Sequence, residues 1–535
     1  MAIGRSPWAL ACVGLLSALL AGLPPALARQ HPGAAGASLP QAATEPLPPG
    51  IQAIMDGTRY RTGRWGLYVA DRANGQALHE LNPDAMVLAA STTKLYSTAA
   101  ALDAYGADYR FETPIYRRGA LDAAGVLQGD LILVASGDLT MGGRDTPEGR
   151  IAFTALDHAE ANFLPGATLT PQDPLAGLDE LARQVAAAGI RQVSGDVLID
   201  ARLFPQTPKD DYVLSPIMIN DNLIDLTLTP GGVDQPAGVD WRPQTAAYQV
   251  RSELRTVEAG GALEVTMTAP QPGVILVQGQ LPADQGTLLR TYQVADPPAF
   301  ARTLLIEALG RQGVAVAASP TGPNPTAQLP PSGSYTTADR VALLRSLPFA
   351  ENIRLINKVS MNRQADTLVY LLAVKNGKMA FDDGMEEIAA FLRRAGLDPA
   401  LVSLSDGRGN EYTDLFSPRT VSQLLRYMAT RPDFAVYYDA QPVFGVDGTE
   451  TNTVPPSSPV RGKAAAKSGT TVAGDAMNGR LVLMVRGSAG YLTARSGREL
   501  VYGLYITNVP MSGIEDVFTI IGDFGTIVEA LYERN

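Results

Sequence analysis

The chain has 535 residues, 46% of them apolar and 18% charged, which supplies ample apolar sequence for a folded core. A formal net charge of −11 argues against a nucleic-acid partner, because binding a phosphate backbone needs a basic face. One Cys and three His leave little room for a disulfide scaffold, a thiolate metal site or a His-rich metal centre.

In chain order, Met1–Ala28 reads as a secretory signal peptide. Arg5 charges its start, Trp8–Leu20 is apolar but too short to span a membrane, and Ala26-Leu27-Ala28 forms a small-x-small cleavage site. Cleavage there removes Cys12, the only cysteine, and with it any thiol chemistry. Residues 29–50, rich in Pro, Gly and Ala, are expected to be a flexible leader. Trp65–Val69 and Ala77–Leu81 read as a hairpin turned at Asn74-Gly75, and Ser91–Tyr105 as a buried helix stopped by Gly106.

Residues 113–335 have a different texture. Two similar short strands, Gly129–Leu133 and Gly195–Asp200, flank a helical stretch at Pro174–Ala188, and Asn222–Thr229 and Leu263–Thr268 alternate as strands do. The expectation is an inserted region of one or two α+β lobes, rejoined through the Pro/Gly/Ser-rich Thr321–Ser334. Beyond it, Arg480–Val485, Gly490–Ala494 and Glu499–Thr507 read as strands and Ile514–Leu531 as a closing helix.

Among all serines, only Ser91 is followed three positions later by Lys, in Ser91-Thr92-Thr93-Lys94. On a helix, positions i and i+3 share a face, so the Lys94 amine can reach the Ser91 hydroxyl. Free N–H groups at a helix start could also stabilise an oxyanion. Alone, such a motif is usually a helix cap and a solvated charge, but Lys94 lies in an unusually apolar run, Leu88 to Leu102. Two further motifs follow in order: Ser360-Met361-Asn362, with 265 residues between it and Lys94, and Lys467-Ser468-Gly469-Thr470, with 104 residues between it and Asn362.

That order is the order found in penicillin-recognising serine enzymes. Residues 63–118 and much of 340–508 resemble the penicillin-binding D-alanyl-D-alanine carboxypeptidases/endopeptidases of the class C, PBP4-like type (peptidase family S13). Tyr109–Thr113, Gly129–Leu131, Ala135–Leu139 and Gly445–Thr449 also look like family segments. The resemblance implies an α/β (α+β) fold: an antiparallel sheet with helices on both faces, made of residues 48–112 and 336–535, with 113–335 inserted.

It further implies that Ser91 attacks the carbonyl of a D-Ala-D-Ala bond or D,D cross-link and forms an acyl-enzyme. Lys94 would accept the hydroxyl proton, Ser360 would relay a proton to the leaving amine, and Asn362 would hold the substrate amide and orient Lys94. Lys467 would supply positive potential, and Ser468 and Thr470 would contact the substrate carboxylate. The backbone N–H groups of Ser91 and Thr470, beside Gly469, would form the oxyanion hole. Implied partners are peptidoglycan muropeptides as substrates and β-lactams as covalent inhibitors, with no metal or cofactor, in the periplasm or at the cell-wall face of a bacterium. The C-terminal Tyr532-Glu533-Arg534-Asn535 lacks a basic amphipathic tail, so no membrane anchor is expected. Oligomeric state and the choice between carboxypeptidase and endopeptidase are not legible.

Three places depart from the family pattern: Lys467-Ser468-Gly469 rather than K-T-G, Asp406-Gly407-Arg408-Gly409-Asn410 where D-G-S-G-L is commoner, and an extra hairpin tip over Ala473–Arg480. The alternatives are a serine β-lactamase or esterase on the same fold, or a non-catalytic penicillin-binding sensor. A Ser-His-Asp hydrolase is disfavoured, since His79 and His158 are expected at the surface. Asp382–Glu387 is expected to be a solvated helix start, and the Asp/Gly turns at 137–138 and 406–409 to be structural.

Overall fold

A computed structural model describes residues 45–535. The expected signal peptide, and the expected leader as far as residue 44, lie outside the described residues. The end of the leader is structured, contrary to expectation. Glu45 N–H donates to Leu78 O, Leu47 packs on the core, and a helix opens at Pro49, where a missing N–H costs nothing.

The two ends of the chain build one antiparallel five-stranded sheet. Its strand order is Ala77–Leu81, Arg64–Asp71, Glu499–Met511, Arg480–Thr493, Ala464–Asp475. Strand periodicity splits the core across this sheet. Leu500, Tyr502, Leu504 and Ile506 face the terminal helices Pro49–Met55 and Glu515–Arg534, while Val501 and Tyr505 face the helix Lys94–Tyr105. Gly503 leaves room on that second face for the backbone of Pro418, whose carbonyl oxygen would lie 2.8 Å from a Cβ there. Helices thus cover both faces. Two expected strands, Arg480–Val485 and Gly490–Ala494, are one continuous strand, because Gly487 and Ser488 pair with Gly469 and Ser468 without a break.

A second sheet has the order Ala315–Val316, Gln192–Val193, Val126–Val134, Glu112–Leu121, Arg340–Arg345. The two similar strand segments noted in the sequence are direct neighbours in it, with Leu131 opposite Val197 in parallel register. A small sheet of Val402–Ser403, Leu415–Phe416 and Val87–Leu88 ties the loop between 404 and 414 to the start of the Ser91 segment.

Both histidines of the described residues are buried, which corrects the surface reading. His79 is 2% and His158 3% exposed. His158 Nδ1 lies 2.7 Å from Asp225 and Nε2 3.0 Å from Asp221, and Arg144 bridges Asp157 and Asp221 at 2.7 and 2.9 Å. Arg144, Asp157, His158 and Asp221 line a small polar pocket together with Arg242, which reaches Asp225 at 3.0 Å. Arg144 Nη2 also stands 2.8 Å from His158 Nε2. Three carboxylates against two guanidiniums nevertheless leave one charge to balance. Burial opposes protonation of His158, but Asp225, Asp221 and Asp157 outweigh it and lift the imidazole to about 9. No local pattern signals this cluster, because its partners are scattered over residues 144–242.

Candidate active site

The turn that carries Ser91 is a short 3-10 segment, Ala90–Thr93, running directly into the helix Lys94–Tyr105. Ala90 has φ +44, a left-handed conformation that L-residues avoid, and this strain immediately precedes Ser91. Ser91 does not cap the helix. Its hydroxyl instead sits 2.9 Å from Lys94 Nζ.

Lys94 is fully buried, and its Nζ has two further partners: Asn362 Oδ1 at 2.7 Å and the Arg408 carbonyl at 2.9 Å. Both of these accept only. A neutral amine has two N–H bonds and one lone pair. With both N–H bonds committed to acceptors, the lone pair is left for the Ser91 hydroxyl. Burial pushes the Lys94 pKa down to about 8, helped by the Arg408 charge and opposed by Asp406, Glu160 and Asp366.

Asn362 reaches the amine because the chain breaks between two helices. Phe349–Val359 ends at Ser360, which adopts φ +63, and Asn362 opens the next helix, Asn362–Lys375. Ser360 is nearly buried at this junction, and no hydrogen bond links its hydroxyl to Ser91 or Lys94 among the described residues.

The third motif lies on the sheet's edge strand, Ala464–Asp475. Lys467 is fully buried, with Nζ donating to Ser468 O at 2.7 Å. Burial first, then the positive charges of Lys94 and Arg486, hold its amine well below the usual lysine range. A Cβ on Gly469 would lie 2.7 Å from Ser91 N and 3.0 Å from Ala89 O, so only glycine lets the edge strand come this close to the Ser91 turn. Thr470 Oγ1 accepts from Arg486 Nη1 at 2.9 Å, and Ser468 Oγ is 3.4 Å from Thr449 Oγ1. Beyond the motif, Ala473–Asp475 still pair with Val482, Leu481 and Arg480, so the expected extra tip shrinks to residues 476–479.

The Asp406–Asn410 loop is more than a structural turn, and here the sequence reading needs correction. Asp406 accepts the backbone N–H groups of Arg408 at 2.9 Å and Asn410 at 3.0 Å, and that of Gly409 as well. Gly409, at φ +90, packs so tightly that a Cβ would collide with the Ala90 carbonyl. This close approach aims Arg408 O at Lys94. The Arg408 and Arg486 contacts went unforeseen because main-chain acceptors and cross-strand neighbours leave no motif; the D-G-x-G glycines were the only available signal.

The site therefore assembles Ser91, Lys94 and Asn362 by direct hydrogen bonds, with Gly469 and Thr470 alongside and Lys467 buried behind. A sequence model of the family described as D-Ala-D-Ala carboxypeptidase 3 (S13) matches residues 51–518. A D-alanyl-D-alanine carboxypeptidase of Actinomadura sp. is 28% identical over 500 residues, covering 89% of this chain and 84% of the relative. The fold is similar to that of penicillin binding protein 4 (dacB) from Haemophilus influenzae, with a TM-score of 0.67 at 19% identity, covering 90% of this chain and 98% of that one. A structure of that same protein complexed with a β-lactam gives 0.65 at 19% identity, covering 90% and 99%. With a serine and a desolvated lysine in hydrogen-bond contact, and a family match spanning nearly the whole described chain, the protein belongs to the D-Ala-D-Ala carboxypeptidase 3 (S13) family of serine peptidases.

Proposed function

We propose that the protein hydrolyses the D-Ala-D-Ala bond of peptidoglycan stem peptides, the D,D cross-link between them, or both, through an acyl-enzyme on Ser91. The observation that carries the residue roles is the committed geometry of Lys94 Nζ, with two fixed acceptors and one hydroxyl.

In this reading, Ser91 Oγ attacks the carbonyl carbon while its proton passes to the Lys94 lone pair. The tetrahedral oxyanion is met by the Ser91 and Thr470 N–H groups. Lys467 keeps the potential positive, and the hydroxyls of Ser468 and Thr470 receive the terminal carboxylate. Asn362 gives Oδ1 to Lys94, which leaves its amide N–H groups for the substrate carbonyl. Ser360 relays the proton held by Lys94 to the leaving amine, taking that proton as it passes on its own, the C–N bond breaks, and water then releases the acyl group by the reverse sequence. A β-lactam carries a strained amide onto the same serine and stays there, consistent with the β-lactam complex of the Haemophilus protein.

The same reading takes residues 113–335 as an insertion between two halves of the catalytic domain, since every strand of the five-stranded sheet lies outside that range. It places the enzyme at the periplasmic or cell-wall face of a bacterium. Intact-mass analysis after penicillin treatment, followed by muropeptide product analysis, tests it. An adduct on Ser91 with release of D-Ala or of a cleaved cross-link is expected. Rapid penicillin turnover without either product would instead identify a β-lactamase.

A further inference from the structure

Arg408 stands where the resembling family more often has a small residue, and its side chain is 2% exposed. Its Nη1 reaches Asp211 at 3.0 Å and the Tyr212 hydroxyl at 2.8 Å, and the guanidinium stacks over the Tyr212 ring at 5.0 Å. Its Nε faces Asp406 at 3.3 Å and Asp366 at 3.5 Å. Tyr212 in turn donates to Asp366 at 2.9 Å, and Asp366 accepts the Gly407 N–H at 2.9 Å. The Gly407–Arg408 peptide is thus held at both ends, and its Arg408 carbonyl is the acceptor for Lys94 Nζ.

We propose that Arg408 is a positioning residue for the Lys94 amine: clamped to Asp211 and Tyr212, it fixes the carbonyl to which Lys94 donates and offsets the charges of Asp366 and Asp406 behind it. Residues 211–212, more than a hundred positions from either motif, thereby become part of the support of the general base. The inference rests on the reading of Lys94 as base. The charged groups around Lys94 are Asp406, Glu160, Asp366, Arg408 and Lys467. Arg408 is the cation that lies among the first and third of these carboxylates. Removing it leaves them to favour the protonated amine, which cannot accept the Ser91 proton.

The test is the second-order rate of penicillin acylation against pH, between about 6 and 10, for the full chain and its variants. Arg408→Met is expected to lower the plateau by about tenfold or more. It should also move the midpoint by about one pH unit to the alkaline side. Arg408→Lys should restore the midpoint while keeping a lowered plateau, since it keeps the charge but not the fork of donors. Asp211→Asn, at a half-exposed carboxylate, breaks only the remote end of the clamp and should also lower the plateau. A merely structural arginine would change the fraction of active protein and leave the midpoint alone.

A folded Arg408→Met variant with the wild-type midpoint overturns the proposal. Should that variant not fold, wild-type rates in both Arg408→Lys and Asp211→Asn overturn it. Lys94→Ala separates the two levels of argument. If it acylates normally, the reading of Lys94 as base falls first; if it is inactive while Arg408→Met titrates as wild type, only the role of Arg408 falls.

Discussion

Gly469 and the main chain of Ser91 are in near contact: a Cβ on the glycine would sit 2.7 Å from Ser91 N. The edge strand and the Ser91 turn are brought to this distance by separate devices. The strand is set by its register against Arg480–Thr493, and the turn by the Val87–Leu88 pairing and by Gly409 beneath Ala90. On the proposed reading, this closeness is what would let two N–H groups from different elements, those of Ser91 and Thr470, converge on one oxygen. An oxyanion site of this kind tolerates little displacement, because its donors act only at the position the charge will occupy.

Gly469→Ala is therefore expected to reduce the acylation rate by about a hundredfold, the scale of losing one oxyanion donor. Overpacking should cost only about 1–3 kcal/mol of stability. Penicillin acylation kinetics beside a thermal melt check both. A wild-type rate in the alanine variant would show that the contact relaxes without catalytic consequence.

Lys94→Ala should abolish the penicillin adduct on Ser91 and leave the fold intact. The variant strands Asn362 Oδ1 and the Arg408 carbonyl, a loss of about 1–3 kcal/mol per unsatisfied group, which a protein of this size absorbs. Intact-mass analysis and circular dichroism on one preparation are the measurements. Normal labelling would remove Lys94 from the base role.

The wild-type acylation rate should rise with pH and level off, with a midpoint near 8, because burial lowers the Lys94 pKa to about 8 and only the neutral amine accepts a proton. A pH series of single-turnover acylation rates reads this directly. A profile still climbing where an ordinary lysine titrates, near 10.4, would mean that the amine is not desolvated as the structure has it.

His158 should make stability fall on the alkaline side. Its folded pKa, about 9, lies above the unfolded value of about 6.5. The stabilisation is then complete below about 6.5, declines above it, and is gone once the pH has risen through 9. Its size is on the order of 3 kcal/mol, from the same two values. Thermal melts of the wild type and His158→Gln across that range should converge at the alkaline end. A gap that stays constant would assign His158 a packing role and no charge.

Much of this protein was legible in its residues. The spacing of Ser91 and Lys94 alone places the amine over the hydroxyl, since three positions on a helix return to one face. The ordering of Ser360-Met361-Asn362 and Lys467-Ser468-Gly469 singled out Asn362, which meets Lys94, and Gly469, which abuts Ser91, and the alternation of apolar residues predicted the terminal strands. His158 shows where such reading stops. Nothing local distinguishes a polar loop from one drawn inside by Asp221, Asp225 and Arg144, because an ion cluster has no sequence period.

The scarcity of Cys and His had already pointed to chemistry without thiol, metal or imidazole, and the motif residues pointed to a serine beside a lysine in an apolar run. Local periodicity and residue type determine that much, being properties of neighbours in the chain. Tertiary structure alone decided that the Arg408 carbonyl completes the Lys94 environment, that the Arg408 guanidinium reaches Asp211 and Tyr212, and that Gly469 abuts Ser91. The first and last of those relationships join residues hundreds of positions apart through backbone atoms that every residue carries, and the other joins side chains that share no local pattern. They exist only once burial has excluded water and fixed which of those atoms meet.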